Sequence, residues 1–546
     1  MSVEIPERVA VPAAWDDAFD VVVVGLGGAG ASAALEAADS GAQVLVLERF
    51  HGGGTTSVSG GIVYAGGGTT IQREAGFEDA PEAMFRYLRR EVNGTVTDAT
   101  LRHFAHQSAP TVDWLQSHGV PFHPSFCPFK TSYPTDDYYL YYSGNEAVSP
   151  YAEEAEPAPR GHRAHGPGLS GGPLMTALVA AVTRHPRITV RCQARVRGLV
   201  QDDEGRVAGV EYTTFPEGSR ARRQHAWTSA LSYKWSNYSP FLRRYARKRL
   251  LRLERQATVI CRVEATGGVV LASGGFIRNR KMVQQYAPSS PRMLALGSVG
   301  DDGFGIRLGQ SAGGSVGKME RISAWRFYNP PVAFVKGVLV DQQGRRICNE
   351  ALYGATVGRA IVAAGNQAWL VCDATTRAEV WQRLRAETVT FQRLTSLYLL
   401  TLGHKRAPTI AALANRLAMP QLSQTIETYN AGADAGEDAL QKSTKVLAKV
   451  ERGPFYAMDV SIRSNPFYPC PSLTLGGLRV DEVTGRVLRD DDSSIPGLYA
   501  AGRAAVGICS EGYVSGLAIA DAVYSGRRAG RVAAGCQWRD DDTQSA

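Results

Sequence analysis

The sequence predicts an α/β fold in which a doubly wound parallel sheet is interrupted by an inserted α+β domain. Two observations predict it. The first is a strand, Val21–Val24, that runs into Gly25-x-Gly27-x-x-Gly30 and an Ala-rich helix, followed by a second strand ending on Glu48. Glycines so placed let the backbone approach a pyrophosphate, the helix N-terminus faces its charge, and the carboxylate receives the ribose hydroxyls. The second is the return of glycine-rich segments far along the chain, at Gly53–Gly61, Gly267–Phe276 and Gly497–Gly516. Four such clusters suit FAD better than NAD, because the longer cofactor needs contacts from distant segments. The expectation is a Rossmann-like FAD-binding domain with an inserted α+β catalytic (cap) domain.

The remaining elements follow in chain order. Residues 98–118 carry Leu101, Phe104, Val112 and Leu115 at helical spacing, and Pro110 should split or kink that helix. The Pro-, Gly- and aromatic-rich stretch 120–172 reads as a long functional loop or lid. There Tyr138, Tyr139, Tyr141 and Tyr142 suit either an apolar substrate wall or simple loop packing. Residues 188–200 and 205–212 read as strands of a small sheet. Residues 259–263 resume strand character, 269–272 return to the main sheet, and 300–317 suit a turn and helix near the cofactor. The domain division is 15–318 for the first part of the FAD-binding domain, 319–455 for the cap and 456–546 for the second part.

Composition sets outer bounds. The chain has 546 residues, 44% hydrophobic and 21% charged, which describes an ordinary globular protein. No apolar string approaches the ~20 residues of a membrane-spanning helix. The N-terminal MSVEIPERVAVPAAWDD lacks the pattern of a signal peptide, and the eight cysteines occur singly, without CxxC spacing. A cytoplasmic location without metal or disulfide framework is expected. The net charge of +8 is concentrated: residues 219–256 hold eleven Lys or Arg against the single acid Glu254, leaving the rest slightly acidic.

With these segments in hand, the chain resembles the FAD-dependent fumarate reductase and 3-ketosteroid dehydrogenase superfamily, and within it the 3-ketosteroid Δ4-(5α)-dehydrogenases. The residues that carry the likeness are GxGxxG with Glu48, GGTTSVSGGIVYAGGG, VVLASGGF and GLYAAGR with GYVSG. Supporting fragments are YSGNE at 142–146, APRGH at 158–162 and LGGLR at 475–479. The resemblance implies cofactor contacts from Gly25, Gly27, Gly28, Ala29, Gly30, Glu48, Arg49, Gly54, Thr55, Thr56, Ser57, Ser59, Gly60 and Gly61. It adds Ala194, Val196, Ala272, Ser273, Gly274, Gly502, Arg503, Ser515, Gly516 and Leu517. Where covalent-flavin members carry a His, this chain has Gly54, and His51 stands three residues too early, so FAD should be bound non-covalently. No Arg matches the proton donor of fumarate reductases. The Tyr-containing EGYVSG, in place of the proline-rich motif of Δ1-dehydrogenases, favours the C4–C5 bond.

The implied chemistry is desaturation of a 3-ketosteroid: a base takes the α-proton, a hydride leaves the β-carbon for the flavin, and the enolate oxygen is stabilised. Tyr513 is the expected proton acceptor, with Ser515 beside it and Tyr353 contributed by the cap. Ser515 as a plain helix cap stays open. Backbone N–H groups at 515–517 are candidates for the ketone oxygen or flavin O2. Δ1-dehydrogenation, or reduction of another activated double bond, is the alternative. In the basic insert, Trp227, Tyr233, Trp235, Tyr238 and Phe241 precede a helix with Leu242, Tyr245, Ala246, Leu250 and Leu253 on one face and Arg243, Arg244, Arg247, Lys248 and Arg255 on the other. That pattern suits peripheral contact with the anionic inner face of a membrane. A solvated or oligomer-forming helix competes with it. A flavoprotein using this arm on RNA is the rival from another class, and nucleic acid is not expected.

Overall fold

The structure, a computed structural model, describes residues 4–235 and 240–538. Its centre is a strand path in the order Arg486–Leu488, Ser494–Ala500, Val259–Leu271, β1 (Asp17–Val24), β2 (Val44–Glu48) and Ile188–Cys192. All neighbours in this path run parallel except the first pair. Val21–Val24 form an unbroken apolar run because both faces of the sheet are covered, and none is more than 7% exposed. Helix α1 (Gly28–Asp39) leaves the end of β1 and is buried almost throughout, against the C-terminal helix Leu517–Ala533. Glycines bring the two helices together: a Cβ on Gly530 would stand 2.1 Å from the Ala33 carbonyl oxygen.

The stretch 98–118 divides into helices Asp98–His106 and Ser108–Ser117, with Pro110 in the first turn of the second, where a missing N–H breaks no helical bond. Two strand expectations are corrected. Residues 188–200 are two strands, Ile188–Cys192 in the main sheet and Arg195–Gln201 in an antiparallel pair with Val207–Thr214, parted at Gln193, whose φ is 59°. Residues 259–271 form one strand, pairing with Val207–Thr214 in its first half and with β1 in its second.

The cap is built on the antiparallel sheet Val338–Val340, Trp369–Cys372, Phe455–Asp459, His404–Ala407. Both faces are covered, Leu339, Leu370 and Met458 facing one apolar cluster and Val338, Val371 and Ala457 the other. The strand Phe455–Asp459 lies inside this sheet, which therefore reaches past residue 455, where the sequence places the cap's end.

The basic insert holds two helices that pack together, Arg220–Trp235 and Pro240–Glu254, so Trp227, Tyr233 and Trp235, expected ahead of a helix, are themselves helical. Tyr238 lies outside the described residues, as do the side chains of Tyr233, Trp235, Phe241 and Arg243. The face predicted for lipid is divided. Ala246, Leu250 and Leu253 are buried, Leu250 against Phe50 and Val299, while Leu242 and Tyr245 are exposed. Among the described residues no helix is long and apolar enough to cross a membrane.

Candidate active site

One cavity of about 1180 Å³ runs from the end of β2, past the glycine turn, to the cap. That is larger than the pocket of a single drug-sized ligand and leaves room for a dinucleotide and a substrate. Of the predicted cofactor residues, all but Gly30, Ser57 and Leu517 line it. Those three stand behind the wall: a Cβ on Gly30 would meet Gly25 O at 1.9 Å, Ser57 Oγ donates to Gly54 O at 2.9 Å, and Leu517 is fully buried.

The wall fits a pyrophosphate. The N-terminus of α1 has no side-chain cap, and Gly25 leaves no space for a Cβ, which would lie 2.9 Å from Ala272 O. Arg503 Nη2 donates to Asp301 at 2.9 Å, whereas its Nη1, buried, has no partner among the described residues. Ser273 Oγ is likewise buried and unpaired. At the helix end itself, among the described residues, only Gly28 N is engaged by a side chain, donating to Thr56 Oγ1 at 3.3 Å, and buried donors without partners beside such an end are what an anionic ligand completes. Glu48 accepts from Leu26 N at 2.8 Å and Phe50 N at 2.7 Å. Each carboxylate oxygen retains a lone pair for ribose hydroxyls. Burial pushes its carboxyl up, against those two N–H donors and Arg49.

Arg49 lines the same end, but its guanidinium is committed elsewhere. It forms a two-bond fork with Glu254 (2.7 and 2.9 Å) and reaches Asp302 at 2.9 Å, and Glu254 also receives Arg195 at 3.2 Å. His225 stacks on Phe50, and His51 Nδ1 lies 2.8 Å from Ser229 Oγ. The insert is thus fastened over the Glu48 end of the cavity by its single acid.

At the other end the three predicted catalytic residues come together. Tyr353 immediately precedes helix Gly354–Ala363, and Ser515 and Tyr513 precede the C-terminal helix. Tyr513 stacks on Trp325 with centroids 4.9 Å apart, and Tyr353 meets Phe327 edge-on at 5.5 Å. Ser515 does not cap the helix, because Gly516 is the N-cap residue. Its Oγ instead accepts from Tyr141 OH at 3.2 Å and lies beside the Tyr353 phenol. Burial pushes both phenols well above 10; Arg503 opposes this at Tyr513, and the neighbouring Ser515 hydroxyl opposes it at Tyr353. The backbone donors differ from expectation. Ser515 N is committed to Ser143 O and Leu517 N to Val514 O. The N–H groups of Gly516 and Ala518, both on the cavity wall, have no partner among the described residues.

Trp325, Phe327, Tyr328, Pro330, Leu399, Tyr468, Pro469 and Leu473 wall the chamber beside these hydroxyls, with Phe391 and Leu394 exposed at its rim near Arg385 and Arg393. Tyr138, Tyr139, Tyr141 and Tyr142 are not in this wall; the long loop contributes Ser132, Tyr133, Thr135–Asp137, Gly168 and Leu169 instead. The aromatic pair Trp325 and Phe327 was not anticipated and lies in a segment with no glycine signature. Asp301 was within reach of sequence reasoning, since GDDG at 300–303 adjoins the cofactor.

Fold and site together define a flavoprotein with an apolar substrate chamber between its FAD-binding part and a cap. The chain belongs to the FAD binding domain family, whose pattern it matches over residues 20–516. It is 40% identical to the 3-oxo-5-alpha-steroid 4-dehydrogenase of Comamonas testosteroni, over 89% of this chain and 93% of that protein. It is 26% identical to a fumarate reductase (cytochrome) of Shewanella frigidimarina, over 96% of this chain and 79% of that one. The 3-ketosteroid-Δ4-(5α)-dehydrogenase of Rhodococcus jostii RHA1, solved with 4-androstene-3,17-dione, superposes with a TM-score of 0.81 at 31% identity, covering 97% of this chain and all of that one.

Proposed function

We propose that this protein is an FAD-dependent 3-ketosteroid dehydrogenase that introduces the C4–C5 double bond into 5α-saturated 3-ketosteroids. The observation that carries the reading is the trio Tyr513, Tyr353 and Ser515 at the flavin end of an otherwise apolar chamber, in a chain whose relatives act on this substrate class. Bound FAD supplies the hydride acceptor. Tyr513 takes the C4 proton, and Arg503 favours its ionised form. Ser515 and Tyr353 are the adjoining hydroxyls on the same chamber wall. The free N–H groups of Gly516 and Ala518, at the start of a helix, suit the ketone oxygen as it gains negative charge. Trp325 and Phe327 hold the ring system and exclude water. FAD is held without a covalent bond: Gly54 lines the cavity where linked flavins have a His, and His51 is engaged with Ser229.

Anaerobic mixing with a 5α-saturated 3-ketosteroid should bleach the flavin, whereas a 4-ene-3-ketosteroid should not. Bleaching by the 4-ene compound alone would transfer the reading to the Δ1 bond, and bleaching by neither would remove steroids from it.

The insert's outer face presents Trp227 (62% exposed), Leu231, Leu242 and Tyr245 (59%) among cations, with the Arg249 guanidinium over the Trp227 ring. This face, rather than Leu250 and Leu253, is the proposed contact with anionic lipid. Each basic residue at such a surface contributes about 1 kcal/mol. Co-sedimentation with phosphatidylserine vesicles should be salt-sensitive and should fall in a Trp227→Ser/Tyr245→Ser variant; equal pelleting of both proteins would reject the contact.

A further inference from the structure

We propose that the segment Tyr141–Asn145 is a mount shared by the hydroxyl pair Ser515–Tyr353, and that Tyr141 is a positioning residue acting through Ser515. The inference rests on the roles given to Ser515 and Tyr353 above. Those two residues come from distant parts of the chain, Tyr353 ahead of helix Gly354–Ala363 and Ser515 ahead of the C-terminal helix, yet the same five residues hold both. Tyr141 OH donates to Ser515 Oγ at 3.2 Å, Ser143 Oγ donates to Ser515 O at 3.0 Å, and Ser515 N donates back to Ser143 O at 3.3 Å. Two residues on, Asn145 Oδ1 accepts from Tyr353 N at 2.6 Å, and its Nδ2 reaches Thr356 Oγ1 at 3.0 Å.

The mount is itself tightly fixed. Asn145 N donates to Tyr87 OH at 2.9 Å. A Cβ on Gly144 would come within 2.6 Å of Tyr87 OH and 2.8 Å of Val514 Cγ1, so only glycine lets the segment lie this close to the active-site turn. Tyr141 itself is fully buried.

Hydrogen-bond direction gives Tyr141 its effect. A serine hydroxyl has one proton and two lone pairs. Because Tyr141 donates to Ser515 Oγ, one lone pair is filled and the Ser515 proton is turned away from Tyr141, toward the cavity wall that Ser515 shares with the phenols Tyr353 and Tyr513. A donor aimed at a phenol oxygen stabilises its ionised form. Without Tyr141 the serine hydroxyl can rotate and act as acceptor instead. The titratable groups facing this chain are Tyr513 and Glu91 around Tyr353, and Tyr133, Glu146 and Arg163 around Tyr141. None of them makes a hydrogen bond to Ser515 among the described residues. Glu91, pushed up to about 7 by burial, titrates apart from the phenols, so the diagnostic limb of the pH profile is the alkaline one.

The test is Tyr141→Phe, which removes one hydroxyl and leaves the ring. The FAD-loaded variant should lose about tenfold in kcat with KM for the steroid within about twofold, and the rise of kcat with pH should move up by about one unit. In a Ser515→Ala background the same change should add nothing, since the residue through which it acts is gone. An unshifted pH profile, an equal loss in both backgrounds, or loss of FAD from Tyr141→Phe would each overturn the proposal, the last by exposing a packing role. Wild-type protein inert to both ketosteroids would overturn the functional reading and this proposal with it. An active wild type with an unaffected Tyr141→Phe variant would overturn this proposal alone.

Discussion

Tyr513→Phe is expected to lower kcat by about 10³-fold while leaving the protein yellow. The substitution removes only the hydroxyl. The ring keeps its stacking on Trp325, and the Glu48 bonds and the Arg503–Asp301 pair do not use the phenol oxygen, so FAD content and steroid affinity should be unchanged. The pH dependence supplies the sign. Burial raises the Tyr513 phenol well above 10, more than Arg503 lowers it, so at neutral pH the reactive ionised form is a small fraction. That fraction grows about tenfold per pH unit below the phenol's pKa. The anaerobic bleaching rate of the wild type should therefore climb from about pH 6 to about pH 9, and the climb should vanish in Tyr513→Phe. Stopped-flow absorbance of the flavin reads both. Normal turnover in the variant would end the assignment of Tyr513 as base.

What could be read from the sequence was whatever is encoded within a few neighbouring residues. β1, the glycine turn, α1 and Glu48 are contiguous, and each constraint in them is local: a turn, a helix start, a strand end. Most of the cofactor wall was legible for the same reason. The strand Val259–Leu271 was not, because Gly267 and Gly268 look like a break. They are there for another reason: a Cβ on Gly267 would strike Ala533 O at 2.2 Å, and one on Gly268 would strike Gly497 O at 2.7 Å. Close approach by segments more than two hundred residues away leaves no local trace. The insert shows a second limit. Periodicity reveals that a helix has an apolar face but not whether protein or lipid covers it. The usable signal was Glu254, a lone acid among eleven cations, which the fold places on Arg49. Tyr141 and Asn145 stood within or beside the YSGNE fragment, but their partners Ser515 and Tyr353 are joined to them only by the fold.

Gly30→Ala is the change expected to do most damage to the scaffold. The added Cβ would sit 1.9 Å from Gly25 O and 2.9 Å from Gly25 C, both backbone atoms at the end of β1, so no side-chain rotation relieves the clash. Retreat of α1 is blocked on its far side, where Gly526 and Gly530 lie so near that a Cβ on either would stand 2.4 and 2.1 Å from the Ala29 and Ala33 carbonyl oxygens. Any shift of α1 therefore drives the C-terminal helix, and with it Gly516, Ser515 and Tyr513, out of register with the chamber. Overpacking of this kind costs about 3 kcal/mol or more. The purified variant should be nearly colourless, and its denaturant midpoint should fall well below that of flavin-free wild type. Gly41→Ala is the matched control: φ is 98°, but nothing lies within 4 Å of the new Cβ. It should show only the backbone penalty of about 1–2 kcal/mol and keep its flavin. If Gly30→Ala is as yellow and as stable as Gly41→Ala, the glycine turn does not hold α1 against the strand as described, and the pyrophosphate cradle must be sought elsewhere along the cavity.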